Sequence, residues 1–286
     1  MSAIVDGRVT MVDGIAFADT AAASPYREQW EREAAEDHVR SAIANAPAGA
    51  AADELLTGKI APLWDRFPEG RHVGTLLDLG AGYGRIDLHL ARAKGLTCDT
   101  FYALDISETM LRRLIEYREQ HLVFPDAEVV AICASADDIP LADSSVDLVV
   151  SSAVFLHMGK GFVARAVREL ARVLKPGGAF VFDVAFPNRR NPSSWLPRLK
   201  PQQLRNPNAL KYWTRPEIEQ LLRETGLAAR AGGAVVEPGA YAALPKRVGP
   251  FSVPGARRLN SAVGEPRILS DFFAVSYNAY SPGALA

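Results

Sequence analysis

Apolar positions fall into different textures along the chain. From residue 24 to about 67 they recur at helical spacing: Trp30, Ala34, Val39 and Ile43 form one stripe, and Leu55, Leu56, Ile60, Leu63, Trp64 and Phe67 a second. Ser24-Pro25 supplies an N-cap and a first-turn proline for a helix running to about 45, where Ala46-Pro47-Ala48-Gly49-Ala50 ends it. The second stretch predicts a helix over 52–67, which Gly58 and Pro62 can split or kink. Residues 1–23 show no such period and read as irregular chain. After Pro68 and Gly70, short apolar runs alternate with helical patterns, the texture of a parallel sheet built from βαβ units. Strands are predicted over 75–79, 100–105, 128–133, 146–151, 179–184, 229–237 and 272–279, and helices over 84–93, 108–121, 162–174 and 215–225. The third of these helices runs into Lys175-Pro176-Gly177-Gly178, a basic last turn followed by breakers.

Composition narrows the class. The chain has 286 residues, 48% of them hydrophobic, so it can bury a core without disulfide or metal staples. Length alone suggests about two domains; the pattern instead favours one α/β catalytic domain over 71–286 behind an N-terminal extension, 1–70. The net charge of −1, from 32 basic and 33 acidic residues, argues against nucleic-acid coating, which needs a basic excess. Cys98 and Cys133 are too few for a disulfide framework and lack zinc-site spacing, so they are expected as reduced core residues and no metal is expected. The N-terminus carries Asp6, Asp13 and Asp19 against Arg8, unlike a secretory leader, and no run is long and apolar enough to span a membrane. A cytoplasmic protein is expected.

The chemistry concentrates at Leu76-Leu77-Asp78-Leu79-Gly80-Ala81-Gly82-Tyr83-Gly84-Arg85, a buried strand running through glycines into a helix. Glycines here let the backbone bend sharply and approach a ligand, and the helix start offers unpaired N–H groups. The spacing is Gly-x-Gly-x-Gly; the dinucleotide fingerprint would need its third glycine where Arg85 stands. Asp105 ends the next strand, where a carboxylate can accept from a ribose diol; a strand-end acid or a cap for the helix at 108 is the other reading. The third strand ends in Ala134-Ser135-Ala136-Asp137-Asp138-Ile139-Pro140, polar groups placed to read an adenine edge.

With Ala103-Leu104-Asp105-Ile106-Ser107, Ser145-Val146-Asp147-Leu148-Val149 and Arg172-Val173-Leu174-Lys175-Pro176-Gly177-Gly178, these blocks resemble, in order and over 72–185, the class I S-adenosylmethionine-dependent methyltransferases, in their small-molecule branch. The resemblance implies a Rossmann-like, seven-stranded, mostly parallel sheet of order 3-2-1-4-5-7-6, its last strand antiparallel, with helices on both faces. It implies S-adenosylmethionine as cofactor and S-adenosylhomocysteine as product. Asp78 would orient the methionine amino group, with the backbone of Gly80, Ala81 and Gly82 beneath the methionyl part. Asp105 would hold the ribose hydroxyls, Ile106 pack on the adenine, Ala136 offer its N–H to the ring, and Asp137 approach the exocyclic amine. Many relatives place an acid where this chain has Ser135, which moves the adenine contact to Asp137 or to the hydroxyl. Ser152 would line the pocket. The helix with Tyr26, Arg27 and Trp30 either closes over the cofactor, as in relatives, or is a plain amphipathic helix.

His157, just past the fourth strand, is the candidate base for a hydroxyl acceptor; loop packing is its other reading. Residues 151–154 read Ser-Ser-Ala-Val, which speaks against the nucleic-acid base methyltransferases and their Asn/Asp-Pro-Pro-aromatic signature. Two added segments, about 188–215 and 239–268, follow the fifth and sixth strands as candidate lids. Their acid-free parts, 188–215 and 239–264, hold eleven of the 32 basic residues. Trp195, Tyr212, Trp213, Tyr241 and Phe251 are the expected acceptor-pocket walls. The basic groups either favour an anionic acceptor or are solvated surface charge. The expected activity is methyl transfer to a small molecule at oxygen. The alternatives are N- or C-methylation of a metabolite, lipid or quinone, with or without peripheral membrane contact, and cofactor binding without catalysis. Nothing in the sequence sets the oligomeric state.

Overall fold

The computed structural model describes residues 3–5, 7–35, 72–93, 95–151, 154–186, 213–236, 247–248, 251–252 and 269–277. In chain order the elements are β1 (Val9–Val12), β2 (Ile15–Ala18), α1 (Asp19–Ala23), α2 (Arg27–Ala35), β3 (His72–Leu79), α3 (Arg85–Ala93), β4 (Thr97–Asp105), α4 (Glu108–His121) and β5 (Glu128–Cys133). Then come β6 (Val146–Ser151), a 3-10 turn (Phe155–His157), α5 (Lys160–Val173), β7 (Leu174–Phe186), α6 (Arg215–Glu224), β8 (Leu227–Val236), β9 (Arg247–Val248), β10 (Phe251–Ser252) and β11 (Leu269–Tyr277).

Strand alternation builds two cores, one on each face of the sheet. Leu77 and Leu79 of β3, with Tyr102 and Leu104 of β4, pack with Phe162, Val163 and Val167 of α5 and Ile218 and Leu222 of α6. Leu76, Phe101 and Ala103 face the other way, toward Leu88 and Leu90 of α3 and Leu111, Leu114 and Tyr117 of α4. Cys98 and Cys133 are buried free thiols in this second core, as expected.

The sheet runs β1-β2-β5-β4-β3-β6-β7-β11-β8. Its last seven strands follow the order 3-2-1-4-5-7-6, with β11 antiparallel to both β7 and β8. Two strands more than expected lie at the β5 edge. Residues 9–18 are not irregular: β1 and β2 form a hairpin whose turn residues Asp13 and Gly14 take φ of 48° and 80°. β2 then pairs in parallel with β5, Ile15 opposite Ala131. That pairing carries the chain to the carboxyl edge of the sheet, where α1 and α2 begin. The helix expected from Ser24 starts at Arg27; its continuation past 35 and the helix over 52–67 lie outside the described residues.

The Lys-Pro-Gly-Gly block does more than stop a helix. β7 begins at Leu174, and its pairing to β6 jumps from Val146–Leu174 to Leu148–Ala179, so residues 175–178 form a bulge in the strand. Asp147 fastens this end of the sheet: its carboxylate accepts from the Thr75 N–H at 2.8 Å and from Lys175 Nζ at 2.8 Å.

Candidate functional site

The parallel strands bring Leu79, Asp105, Cys133 and Ser151 to one edge, where ligands bind in open α/β sheets. The chain leaves β3 through a tight turn. The N–H groups of Gly80 and Ala81 donate to the Leu104 carbonyl at 2.7 and 3.1 Å, folding the turn over the end of β4. Gly80 has φ +77°, and a Cβ there would run into the side chain of Val154. Gly82, at φ +55°, donates its N–H to Asp105 Oδ2 at 2.9 Å. Asp105 Oδ1 accepts from the Ser107 N–H at 2.9 Å, while the Ser107 hydroxyl caps α4 through Met110 N–H. The helix cap is thus Ser107, and Asp105 ties the glycine turn to the start of α4. Burial pushes the Asp105 carboxyl above its ordinary value, opposed by the N–H groups of Ser107, Gly82 and Ile106.

Above these residues lies a cleft of about 700 Å³ including its open mouth. Gly80, Gly82, Asp105, Ile106 and Ala136 line it, as do Leu104, Met110, Ala134 and Ser135. Tyr26, Trp30, Val154, Met158 and Phe162 complete the lining, with Ser24. The segment carrying Tyr26 and Trp30 is pinned across the cleft at several points. The Tyr26 hydroxyl accepts from Gly159 N–H at 3.1 Å and its ring meets Phe162 edge-on, centroids 4.9 Å apart. Glu31 accepts from Glu108 N–H at 2.7 Å, and Arg113 donates to the Ala34 carbonyl at 2.5 Å. Trp30 meets the His157 ring edge-on at 5.3 Å.

The other expected site residues are distributed differently. Ala136 reaches the cleft, but Asp137 turns away from its lining: the Ser135 hydroxyl donates to it at 2.5 Å and Arg165 Nε at 2.9 Å. Glu169 and Arg172 hold the same loop, through the Ile139 N–H at 3.0 Å and the Ile139 carbonyl at 2.7 Å. His157 stands beside Trp30, one residue from the lining residue Met158. Trp213 is buried in the α5/α6 core with Lys160 Nζ 5.4 Å from its ring centre, and it does not line the cleft. Ser152, Trp195, Tyr212, Tyr241 and the side chain of Phe251 lie outside the described residues.

Asp78 does not line the cleft either. It is 1% exposed, on the α3/α4 side of β3, and its carboxyl meets that of Asp87, also 1% exposed, in the first turn of α3. Burial raises both, and for Asp78 the charge of Asp87 and then of Asp105 adds to it; Asp87 is pushed up to about 7, eased by a hydrogen bond from Asp78. Asp87, Met110, Val154, Met158 and Phe162 had not been singled out. Only the period of their helices bears on them, and that does not say which neighbour they meet. Among the described residues no group of three or more His, Cys, Asp or Glu could hold a metal, and no helix could cross a membrane.

Fold and cleft together define a Rossmann-like α/β architecture with a ligand cleft at the carboxyl edge of its sheet. Residues 77–182 match the family model described as a methyltransferase domain. Over this stretch, which runs from the end of β3 into β7, the chain is similar to methyltransferase domains. The chain is 35% identical over 135 residues to dimethylglycine N-methyltransferase of Parasynechococcus marenigrum, a match covering 46% of this chain and 44% of that protein. It is 39% identical over 118 residues to malonyl-[acyl-carrier protein] O-methyltransferase of Methylococcus capsulatus, covering 39% of each. The matches thus span less than half of either relative. A SAM-dependent methyltransferase structure from Methanosarcina mazei shares the fold at TM-score 0.51 and 18% identity, over 72% of this chain and 93% of that one.

Proposed function

We propose that this chain transfers a methyl group from S-adenosylmethionine to a small molecule, with a hydroxyl or carboxylate oxygen as the first acceptor class to test. The observation that carries this reading is the Asp105–Gly82 pair. Each Asp105 oxygen already accepts one backbone N–H, and a carboxylate oxygen has room for a second donor, so the two can take both hydroxyls of a ribose. The bare backbone at Gly80 and Gly82 suits a close-lying methionyl chain, and Ile106, Met110 and Ala136 suit an adenine. The residues present fit the cofactor.

When bound, S-adenosylmethionine supplies an already activated methyl on a sulfonium. The chain then has to position and dehydrate the nucleophile, since reacting atoms held at about 3–3.5 Å avoid most of the entropic barrier. Tyr26, Trp30, Met158 and Phe162 dry the cleft. Asp137, engaged by Arg165 and Ser135, serves by fixing the loop that presents Ala136. Asp78 supports the turn from below. For a hydroxyl acceptor His157, beside Trp30, takes the proton; a carboxylate or a neutral amine needs no base. The basic segments over 188–215 and 239–264 favour an acceptor with a negative charge. Amine methylation is the second reading, supported by the likeness to a dimethylglycine N-methyltransferase and by the absence of a histidine or lysine among the described lining residues.

Calorimetry with S-adenosylmethionine and S-adenosylhomocysteine tests the cofactor, and a mass-spectrometric screen of hydroxy acids and of secondary and tertiary amines tests the acceptor. Both ligands should bind, and a product one methyl heavier should form. His157→Gln should keep cofactor affinity and lower turnover of a hydroxyl acceptor roughly 10²-fold. Products from amines alone, with the variant fully active, would move the assignment to nitrogen; binding without any product would leave a cofactor-binding protein.

A further inference from the structure

Two carboxyls meet beneath the glycine turn. Asp78 enters the turn at the end of β3, and Asp87 leaves it in the first turn of α3. None of their four oxygens has a nitrogen or hydroxyl donor, although both side chains are all but sealed from water. The two carboxyls bear directly on each other. Two ionised carboxylates have no donor to offer one another, so a bond between them needs a proton on one, and sealed oxygens without any other donor favour that proton.

The packing of α3 on the sheet brings about this encounter. Alternation along β3 sends Asp78 to the same side as Leu76, into the core shared with α3 and α4. Asp87 lies three residues past Gly84, where a Cβ would stand 3.7 Å from Asp87 Oδ2 and 3.4 Å from Leu114 of α4. The ionisable groups bearing on the pair give it no relief. Asp105 at the end of β4 adds negative charge to Asp78, and Cys98 of β4, pushed up to about 12 by burial and by Asp87, stays a neutral thiol. Arg118 of α4 acts on Cys98. Burial and mutual repulsion both resist ionising the second acid.

We propose that Asp78 and Asp87 share a proton, and that this O–H···O bond is a clasp holding the glycine turn in its cofactor-binding form. The proposal rests on the reading that the turn binds S-adenosylmethionine. Between the two acids run the glycines, held from above by Leu104 and Asp105 and from below by the clasp. When the proton leaves to solvent, two negative charges face each other in a closed core and drive the end of β3 away from the first turn of α3. Gly82 moves with the turn, and with it the N–H that orients Asp105. Asp87 is a positioning residue that touches neither cofactor nor acceptor.

Infrared spectroscopy and calorimetry test this together. At neutral pH the wild type should show the carbonyl stretch of a protonated carboxylic acid, and Asp87→Asn should shift that band, because an amide then stands where the second carboxyl did. Near pH 7 the variant should bind S-adenosylhomocysteine within about threefold of wild type. As the pH is raised above neutral and the clasp's proton leaves, the wild type should weaken at least about tenfold relative to the variant, the effect of one pKa unit of lost coupling. The wild-type band should fade over the same range, a readout that needs no variant to fold. A spectrum without that band, or an affinity ratio constant across the range, would overturn the clasp. Failure of the wild type to bind either cofactor form at any pH would instead overturn the assigned function, and the band would still decide whether the proton is shared.

Discussion

Gly80 carries two constraints at once. Its φ of +77° is a conformation an L residue adopts only at a cost of roughly 1–2 kcal/mol, and the space its side chain would need is filled by Val154. These separate cleanly by experiment. Gly80→Ala should lower the thermal midpoint by a few degrees, about what 1–2 kcal/mol yields in a chain of this size, and weaken S-adenosylhomocysteine binding at least about tenfold. Adding Val154→Ala should return part of the affinity but not the backbone strain. If the second change returns nothing, Val154 does not govern the approach to the turn. Gly80 and Asp105 were legible in the sequence because a strand, a glycine turn and a strand-end acid fix their own geometry. Asp87 was not: that a helical acid meets a strand acid follows from how α3 packs on the sheet, and no local pattern encodes it.

Among the elements, the motif blocks divide between the two ends of the sheet. The turn and the Asp105 block build the cleft, whereas Asp147 and Lys175 work at the opposite, amino end of β6 and β3. Their bond is about a third exposed and screened by water, and so worth little, about 0–1 kcal/mol. The Thr75 N–H is different, because without Asp147 it loses its partner inside the structure, a cost of about 1–3 kcal/mol. Asp147→Ala should therefore lower the thermal midpoint by several degrees and Lys175→Ala barely move it, both with cofactor affinity unchanged. A loss of affinity in Asp147→Ala would mean the two ends of the sheet are coupled. The β1–β2 hairpin shows what local reading lost. Asp13-Gly14 between short apolar runs is a hairpin signal, but four-residue strands are too short for a period to stand out. Their partner β5 lies more than a hundred residues away. Trp213 went the other way: a tryptophan in a basic, proline-rich stretch reads as a pocket wall, yet α5 and α6 close over it.

At the scale of the whole molecule, a net charge of −1 hides a local excess of acid at the carboxyl edge. Burial first, and then Asp105, Glu31 and Glu108 against Arg27, push the Cys133 thiol up to about 11. Such an edge suits a ligand bearing a sulfonium cation. It also sets a pH dependence of stability with a definite sign. Asp87 takes up its proton at about 7 when folded but near its ordinary 3.8 when unfolded, and Asp78 and Asp105 shift the same way. Between those limits the folded chain holds protons that the unfolded chain has lost. Stability from this group is then fully present below about pH 4 and is lost as pH rises to about 7, with a slope of at most about 1.4 kcal/mol per pH unit for one proton. Ion pairs elsewhere respond to pH as well, so the informative quantity is the difference between wild type and Asp87→Asn. The thermal midpoint of the wild type should fall by several degrees relative to the variant between about pH 4.5 and 7. A difference that stays flat, or that grows in favour of the wild type, would mean Asp87 ionises in the folded chain much as it does in water, and that the pair beneath the turn does not hold its proton.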